Sequence, residues 1–255
     1  MANATWLADV LRNAGCKVIE EKGWQAAGVA AMGTVKGVLL HHTAGALKGN
    51  APSLNLVKNG RPDLEGPLSQ LLLARDGTYH VLAAGKCNHA GRGEWRGVTA
   101  GNSNFIGIEA ENAGTGADPW PDVQMAAYLN GVAAILRYIG AGAEMAAGHK
   151  EYALPRGRKI DPSFDMGNFR KELVTVMEGG KPPVGQPMIP DPKTVMLKRG
   201  MHGADVRELQ RELGLEEDGD FGPATEKAVK AFQTAHGLEP DGLVGPQTWA
   251  KIDHD

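Results

Sequence analysis

The sequence predicts an α/β protein, a mixed central sheet flanked by helices, followed by a small three-helix C-terminal domain. Three observations carry that expectation. Short apolar runs of strand length alternate with longer segments of helical period as far as residue 178. Glycine and proline then crowd residues 179–195 and remove both helix and central-strand options. Beyond them, Asp218-Gly219-Asp220-Phe221-Gly222-Pro223-Ala224-Thr225 is echoed by Asp241-Gly242-Leu243-Val244-Gly245-Pro246-Gln247-Thr248. The expected organisation is a domain over 1–178, a semi-rigid linker over 179–195 and a second domain over 196–255.

Taken in order, strands are expected at Val35–His42, Ser69–Ala74, Tyr79–Ala83 and Phe105–Glu111. The second and third are joined by Arg75-Asp76-Gly77-Thr78, where Asp-Gly signals a hairpin. A helix over Pro121–Ile139 follows from Met125, Tyr128, Leu129, Val132, Ile135, Leu136 and Ile139, which recur at steps of three and four. Another starts near Asp165 and buries Phe169, Leu173 and Val176. In the second domain each repeat is a turn leading through proline and threonine into a helix, Thr225–Thr234 and Thr248–Ile252, and Ala204–Leu213 opens the unit. At roughly sixty residues this unit lies near the lower limit for independent folding.

Composition narrows function. The 255 residues are 42% hydrophobic and 22% charged, room for one full core and a smaller one. A net charge of −3 lacks the basic excess of a general nucleic-acid binder. Two cysteines, Cys16 and Cys87, are no disulfide framework, and both read as reduced core thiols. No run of about eighteen apolar residues is present, so membrane insertion is not expected. The opening residues lack a basic start and an apolar stretch, from which synthesis in the cytoplasm without a signal peptide is expected.

Histidine is the commonest metal ligand, yet none of the eight histidines forms an i, i+4 pair, so spacing alone reveals no site. Four motifs in order do more. Val38-Leu39-Leu40-His41-His42-Thr43-Ala44, Ala74-Arg75-Asp76-Gly77-Thr78, Asn88-His89-Ala90-Gly91, and Gly148-His149-Lys150-Glu151 with Lys159-Ile160-Asp161-Pro162 together resemble the type-2 N-acetylmuramoyl-L-alanine amidase family, over nearly all of residues 35–170.

That resemblance implies one zinc ion per chain held by His41, His149 and Asp161, with a fourth position open for water. The plainer alternatives are a core histidine for His41 and a turn or cap aspartate for Asp161. His42, on the opposite strand face, reads as a core residue. In Phe105-Ile106-Gly107-Ile108-Glu109-Ala110-Glu111, alternation puts Glu109 on the face away from Ile106, Ile108 and Ala110, with Gly107 leaving room beside it. The resemblance makes Glu109 the proton acceptor, against an exposed edge-strand glutamate. It makes Lys159, two residues before Asp161, the oxyanion stabiliser, against a solvated basic loop. Some members carry a tyrosine roughly where Ser69 falls. Substrate contacts are expected from Asn88, His89 and Asn112; Trp95 is either a groove residue or a packing anchor.

Leu197-Lys198-Arg199-Gly200 through Gln210, then Phe232-Gln233 and the two Asp-Gly-x-x-Gly-Pro turns, resemble the peptidoglycan-binding domain of wall hydrolases. The implied function is hydrolysis of the bond between N-acetylmuramic acid and L-alanine, with bacterial peptidoglycan as partner. The alternatives are a binding-only recognition protein, a cytoplasmic amidase recycling wall fragments, and a hydrolase using Cys87 with His89. A wall-directed activity without an export signal suggests a phage endolysin, made in the host cytoplasm and dependent on a separate membrane-permeabilising protein.

Overall fold

The computed structural model describes residues 3–182 and 196–252. The expected linker falls largely outside them, at 183–195. The chain divides into two compact units, Met1–Ile189 and Pro190–Asp255.

The first unit contains α1 (Leu7–Asn13), β1 (Lys17–Glu20), β2 (Gly37–His42), α2 (Leu54–Asn59), β3 (Gly60–Arg61), β4 (Leu64–Glu65), β5 (Leu71–Leu73), β6 (Thr78–Val81), α3 (Gly101–Asn104), β7 (Phe105–Ala110), α4 (Asp122–Ile139), β8 (Ala146–Gly148), α5 (His149–Tyr152) and α6 (Met166–Met177). Six strands form one sheet in the order β1-β6-β5-β7-β2-β8. Only the β5–β6 hairpin is antiparallel, so the sheet is mixed, as expected. Gly77 takes the positive φ of 80° that its turn requires.

Strand alternation sorts the two faces. Val38, Leu40, Ile106, Ile108 and Ala110 join the main core with α1, α4 and α6. Leu39, Phe105 and Ala147 turn the other way and pack with Ala90, Val98 and Tyr152. Helix α4 buries Met125, Tyr128, Leu129, Val132, Ile135 and Leu136, the stripe its period foretold, and ends at Gly140 in the left-handed region. On α4, Gly131 is required because a Cβ there would run into the Tyr79 hydroxyl. Asp165 caps α6, its carboxylate accepting from Asn168 N at 2.5 Å, a cap worth about 1 kcal/mol.

The second unit holds α7 (Ala204–Glu212), α8 (Pro223–Ala235) and α9 (Pro246–Ile252) around Leu197, Val206, Leu209, Phe221, Val229, Val244, Trp249 and Ile252. Its sequence echo has a physical cause. Gln210 Nε2, with two N–H groups, lies within hydrogen-bond distance of Asp218 Oδ1 (2.6 Å), Asp220 O (3.0 Å) and Thr225 Oγ1 (3.1 Å), while Gly219 N donates to its Oε1 (2.8 Å). Gln233 repeats this with Asp241 Oδ1 (2.8 Å), Leu243 O (2.9 Å), Thr248 Oγ1 (3.3 Å) and Gly242 N (2.9 Å). Each copy is a turn locked by a buried amide, which satisfies that amide where it would otherwise be costly.

Candidate metal centre

The sheet register builds the site. Parallel strands β7, β2 and β8 lie side by side, pairing His41 with Glu109 and Leu40 with Gly148, so His149 follows directly beside His41. Three polar side chains therefore stand together at the carboxyl edge of the sheet, where open α/β folds place their ligands. Tyr128 of α4 fixes this edge from below, its hydroxyl accepting from His41 N at 3.1 Å and lying 3.0 Å from Ile108 O. Asp161 arrives on a returning loop, fastened where Lys150 N donates to Asp161 O at 2.7 Å.

His41 Nδ1 lies 3.0 Å from His149 Nδ1 and 3.0 Å from Asp161 Oδ2, and His149 Nδ1 lies 2.9 Å from the same oxygen. All three residues are buried. Their lone pairs could hold a cation. The carbonyl of Ala90, 3.0 Å from His149 Nε2, can only accept, so Nε2 carries the proton and Nδ1 presents a lone pair. That lone pair faces a carboxylate oxygen and a second imidazole nitrogen. Two nitrogens and one oxygen converging in this way fit a divalent metal with positions left open.

Glu109 lies next to the cluster, its Oε1 3.9 Å from His41 Nδ1 and its Oε2 buried without a partner among the described residues. Burial, and then the Asp161 charge, push the Glu109 carboxyl well above its usual range, with Lys159 opposing them. Strand β7 is interior, between β5 and β2, so Glu109 is no edge-strand glutamate. Burial lowers His41 to about 4, which keeps its imidazole neutral near pH 7. Lys159 is half-buried, and its charge is felt by both His41 and Glu109.

Other expected site residues are placed differently. Asn112 is fully buried, its amide donating to Asp118 O at 3.0 Å and accepting from Gly114 N at 2.7 Å, which holds its own turn. Asn88 spends its amide on Glu65 O at 3.0 Å. The space over Gly107, expected to be open, is filled by the His89 imidazole, whose atoms would lie 2.8–3.0 Å from a Cβ there. Trp95 acts as a packing anchor: its indole donates to Glu144 O at 2.9 Å, and Arg170 lies 5.4 Å from its ring centroid. Ser69 is buried, its hydroxyl unpartnered among the described residues. Cys87 donates its thiol to Gly85 O, and burial raises its pKa, which disarms it as a nucleophile.

Several contributors have no sequence signature. His42 keeps the core place expected of it, but its Nδ1 also accepts from Ser163 N at 3.1 Å, tying down the segment that carries Asp161. Gln70 Oε1 accepts from Gly107 N at 2.8 Å, and Glu111 accepts from Ser53 N at 2.6 Å and Thr43 Oγ1 at 3.0 Å. Such long-range partners lie beyond any local pattern.

A buried carboxylate beside a two-imidazole, one-carboxylate cluster, set at the carboxyl edge of an α/β sheet, is the donor arrangement of a metal-assisted hydrolase. The chain belongs to the N-acetylmuramoyl-L-alanine amidase family, whose model matches residues 31–164, and residues 202–252 match the peptidoglycan binding domain. Among solved structures it is similar to a Burkholderia AP3 phage endolysin, 46% identical over 23% of this chain and 24% of that one (TM-score 0.23). It is also similar to the E. coli N-acetylmuramyl-L-alanine amidase AmiD, 21% identical over 92% and 95% of the two chains (TM-score 0.45). A third is the Clostridium intestinale endolysin amidase LysCS, 15% identical over 62% and 95% (TM-score 0.46). The chain thus spans about a quarter of the AP3 endolysin's length. No curated protein matches it. Among the described residues no helix is long and apolar enough to cross a membrane.

Proposed function

We propose that this chain hydrolyses the amide bond between N-acetylmuramic acid and L-alanine in bacterial peptidoglycan, using one zinc ion held by His41, His149 and Asp161. The observation that carries the reading is the convergence of three buried lone-pair donors within about 3 Å of one another, beside a carboxylate whose proton affinity is raised. Zinc in that place supplies Lewis acidity, lowering the pKa of a water and polarising a carbonyl.

The protein's own groups do the rest. Glu109, in the carboxylate form that the Lys159 charge favours against burial, accepts the proton that the attacking water gives up and returns it to the departing L-alanine amine. Lys159 places a compact ammonium near the developing oxyanion. Neutral His41 stays available as a donor at physiological pH. The C-terminal unit, matching a peptidoglycan binding domain, concentrates the enzyme on polymeric wall. Soluble fragments need no such unit, which favours lysis of intact wall, in the manner of an endolysin, over fragment recycling.

Metal analysis together with mass spectrometry of digested peptidoglycan tests the reading. The expected result is one zinc per chain, activity lost on chelation and restored by zinc, and stem peptides released with a free L-alanine amine. Cleavage of a glycosidic or peptide bond instead, or full activity of the metal-free protein, would overturn it.

A further inference from the structure

We infer that His89 is a positioning residue for His41: its imidazole selects the His41 tautomer whose Nδ1 lone pair faces the metal site. The inference rests on the reading of His41, His149 and Asp161 as ligands. An imidazole that ligates through Nδ1 must carry its proton on Nε2, and an acceptor for that N–H favours this tautomer over the other. His41 is 1% exposed, and its Nε2 lies 3.2 Å from His89 Nδ1, the two rings meeting edge to face. His41 Nε2–H therefore donates into the His89 Nδ1 lone pair.

His89 is built to hold that place. Asn102 Oδ1 accepts from both His89 N (3.0 Å) and Ala90 N (2.7 Å), fixing the loop, and the ring lies flush on Gly107, where a Cβ would stand 2.8 Å from it. With Nδ1 accepting, the His89 proton sits on Nε2, which is shut off from solvent and has no partner within hydrogen-bond distance among the described residues; the seat on Gly107 holds the ring there at that cost, and the nitrogen is not offered to a molecule in an open groove. The neighbouring residue does the matching job for the other imidazole, since Ala90 O accepts from His149 Nε2. One dipeptide thus orients both nitrogen ligands, His89 through its side chain and Ala90 through its backbone. This gives the Asn88-His89-Ala90-Gly91 motif a role distinct from touching substrate.

Zinc affinity of the full-length chain, measured by competition with a chelating dye, tests the inference on wild type, His89→Asn, His89→Leu and Gly107→Ala. Asparagine offers an acceptor oxygen near the position of Nδ1 and is expected to bind zinc nearly as wild type does. Leucine fills similar volume without an acceptor and should weaken zinc binding about 10- to 100-fold. The melting temperature of the zinc-free proteins reports folding, and if the leucine variant fails to fold, Gly107→Ala, which pushes the ring off its seat, should weaken zinc binding instead. Equal zinc affinity in wild type and folded His89→Leu, with only KM raised, would make His89 a substrate contact and overturn the inference. Equal loss in the asparagine and leucine variants would overturn it too, because the acceptor would not be what matters. A wild-type chain that binds no zinc would overturn the ligand reading itself, a result distinguishable from both.

Discussion

At the scale of single residues, the proposed roles separate groups that would face a metal from a group that would move a proton. Glu109 stands 3.9 Å from His41 Nδ1, farther than either of the other two donors, and burial raises the proton affinity of its carboxylate while Lys159 opposes that rise. Substituting Glu109→Gln keeps the volume and removes the basicity. Turnover should fall by roughly a hundredfold or more, while zinc content stays at the wild-type value. Zinc lost from the variant, measured by metal analysis, would make Glu109 a ligand or a support for one. The candidate roles of His41, Glu109, His149 and Asp161 could be read only through the order of four motifs, since the residues are up to 120 positions apart in sequence. Strand alternation then added real information, placing Glu109 opposite Ile106 and Ile108 and separating His41 from His42. What His42, Gln70 and Asn112 bond to was not legible, because hydrogen bonds between distant segments leave no local trace.

At the scale of elements, long periodic segments were legible and short ones were not. Helices α4 and α6 and strands β2 and β7 lie where their patterns put them, with ends trimmed by one or two residues. The short α1, α2 and α3, and strand β8 with its sequence Ala146-Ala147-Gly148, carry too little pattern to declare themselves; tertiary packing makes them. Loops show the same limit. The segments leaving β2 and β7 at the site edge are clamped by Arg75, which donates to Gly49 O at 2.9 Å, Ala46 O at 2.9 Å and Asp118 Oδ2 at 2.6 Å. Asp118 in turn accepts from Ala113 N at 2.7 Å. The Arg75 and Asp118 side chains are 14% and 10% exposed, so removing one partner strands a largely buried charge. Asp118→Ala should therefore cost about 3 kcal/mol in denaturant unfolding. Hydrogen exchange over residues 44–50 should quicken with it. A loss below about 1 kcal/mol, the range of an exposed pair, would show that the clamp is not what holds these loops.

At the scale of the whole molecule, each unit has its own hydrophobic core, one built on the sheet with α1, α4 and α6, the other on Leu209, Phe221, Val229 and Trp249. All the side chains of the candidate metal centre belong to the first unit, which ends at Ile189, before the region matched by the peptidoglycan binding domain. Chemistry and wall attachment should therefore separate. A chain truncated after Gly180 is expected to fold, to keep wild-type zinc affinity and to cleave soluble muropeptides at nearly the full-length rate. On insoluble wall the second unit should raise effective concentration, and tethering of this kind is worth about 10²- to 10⁴-fold in apparent affinity. The truncated chain should accordingly sediment poorly with purified sacculi and clear them slowly at low enzyme concentration, the gap narrowing as enzyme is added. Equal sedimentation of the truncated and full-length chains would remove the targeting role from the second unit. Loss of activity on soluble muropeptides, with zinc still bound, would mean that the second unit contributes to the reaction itself.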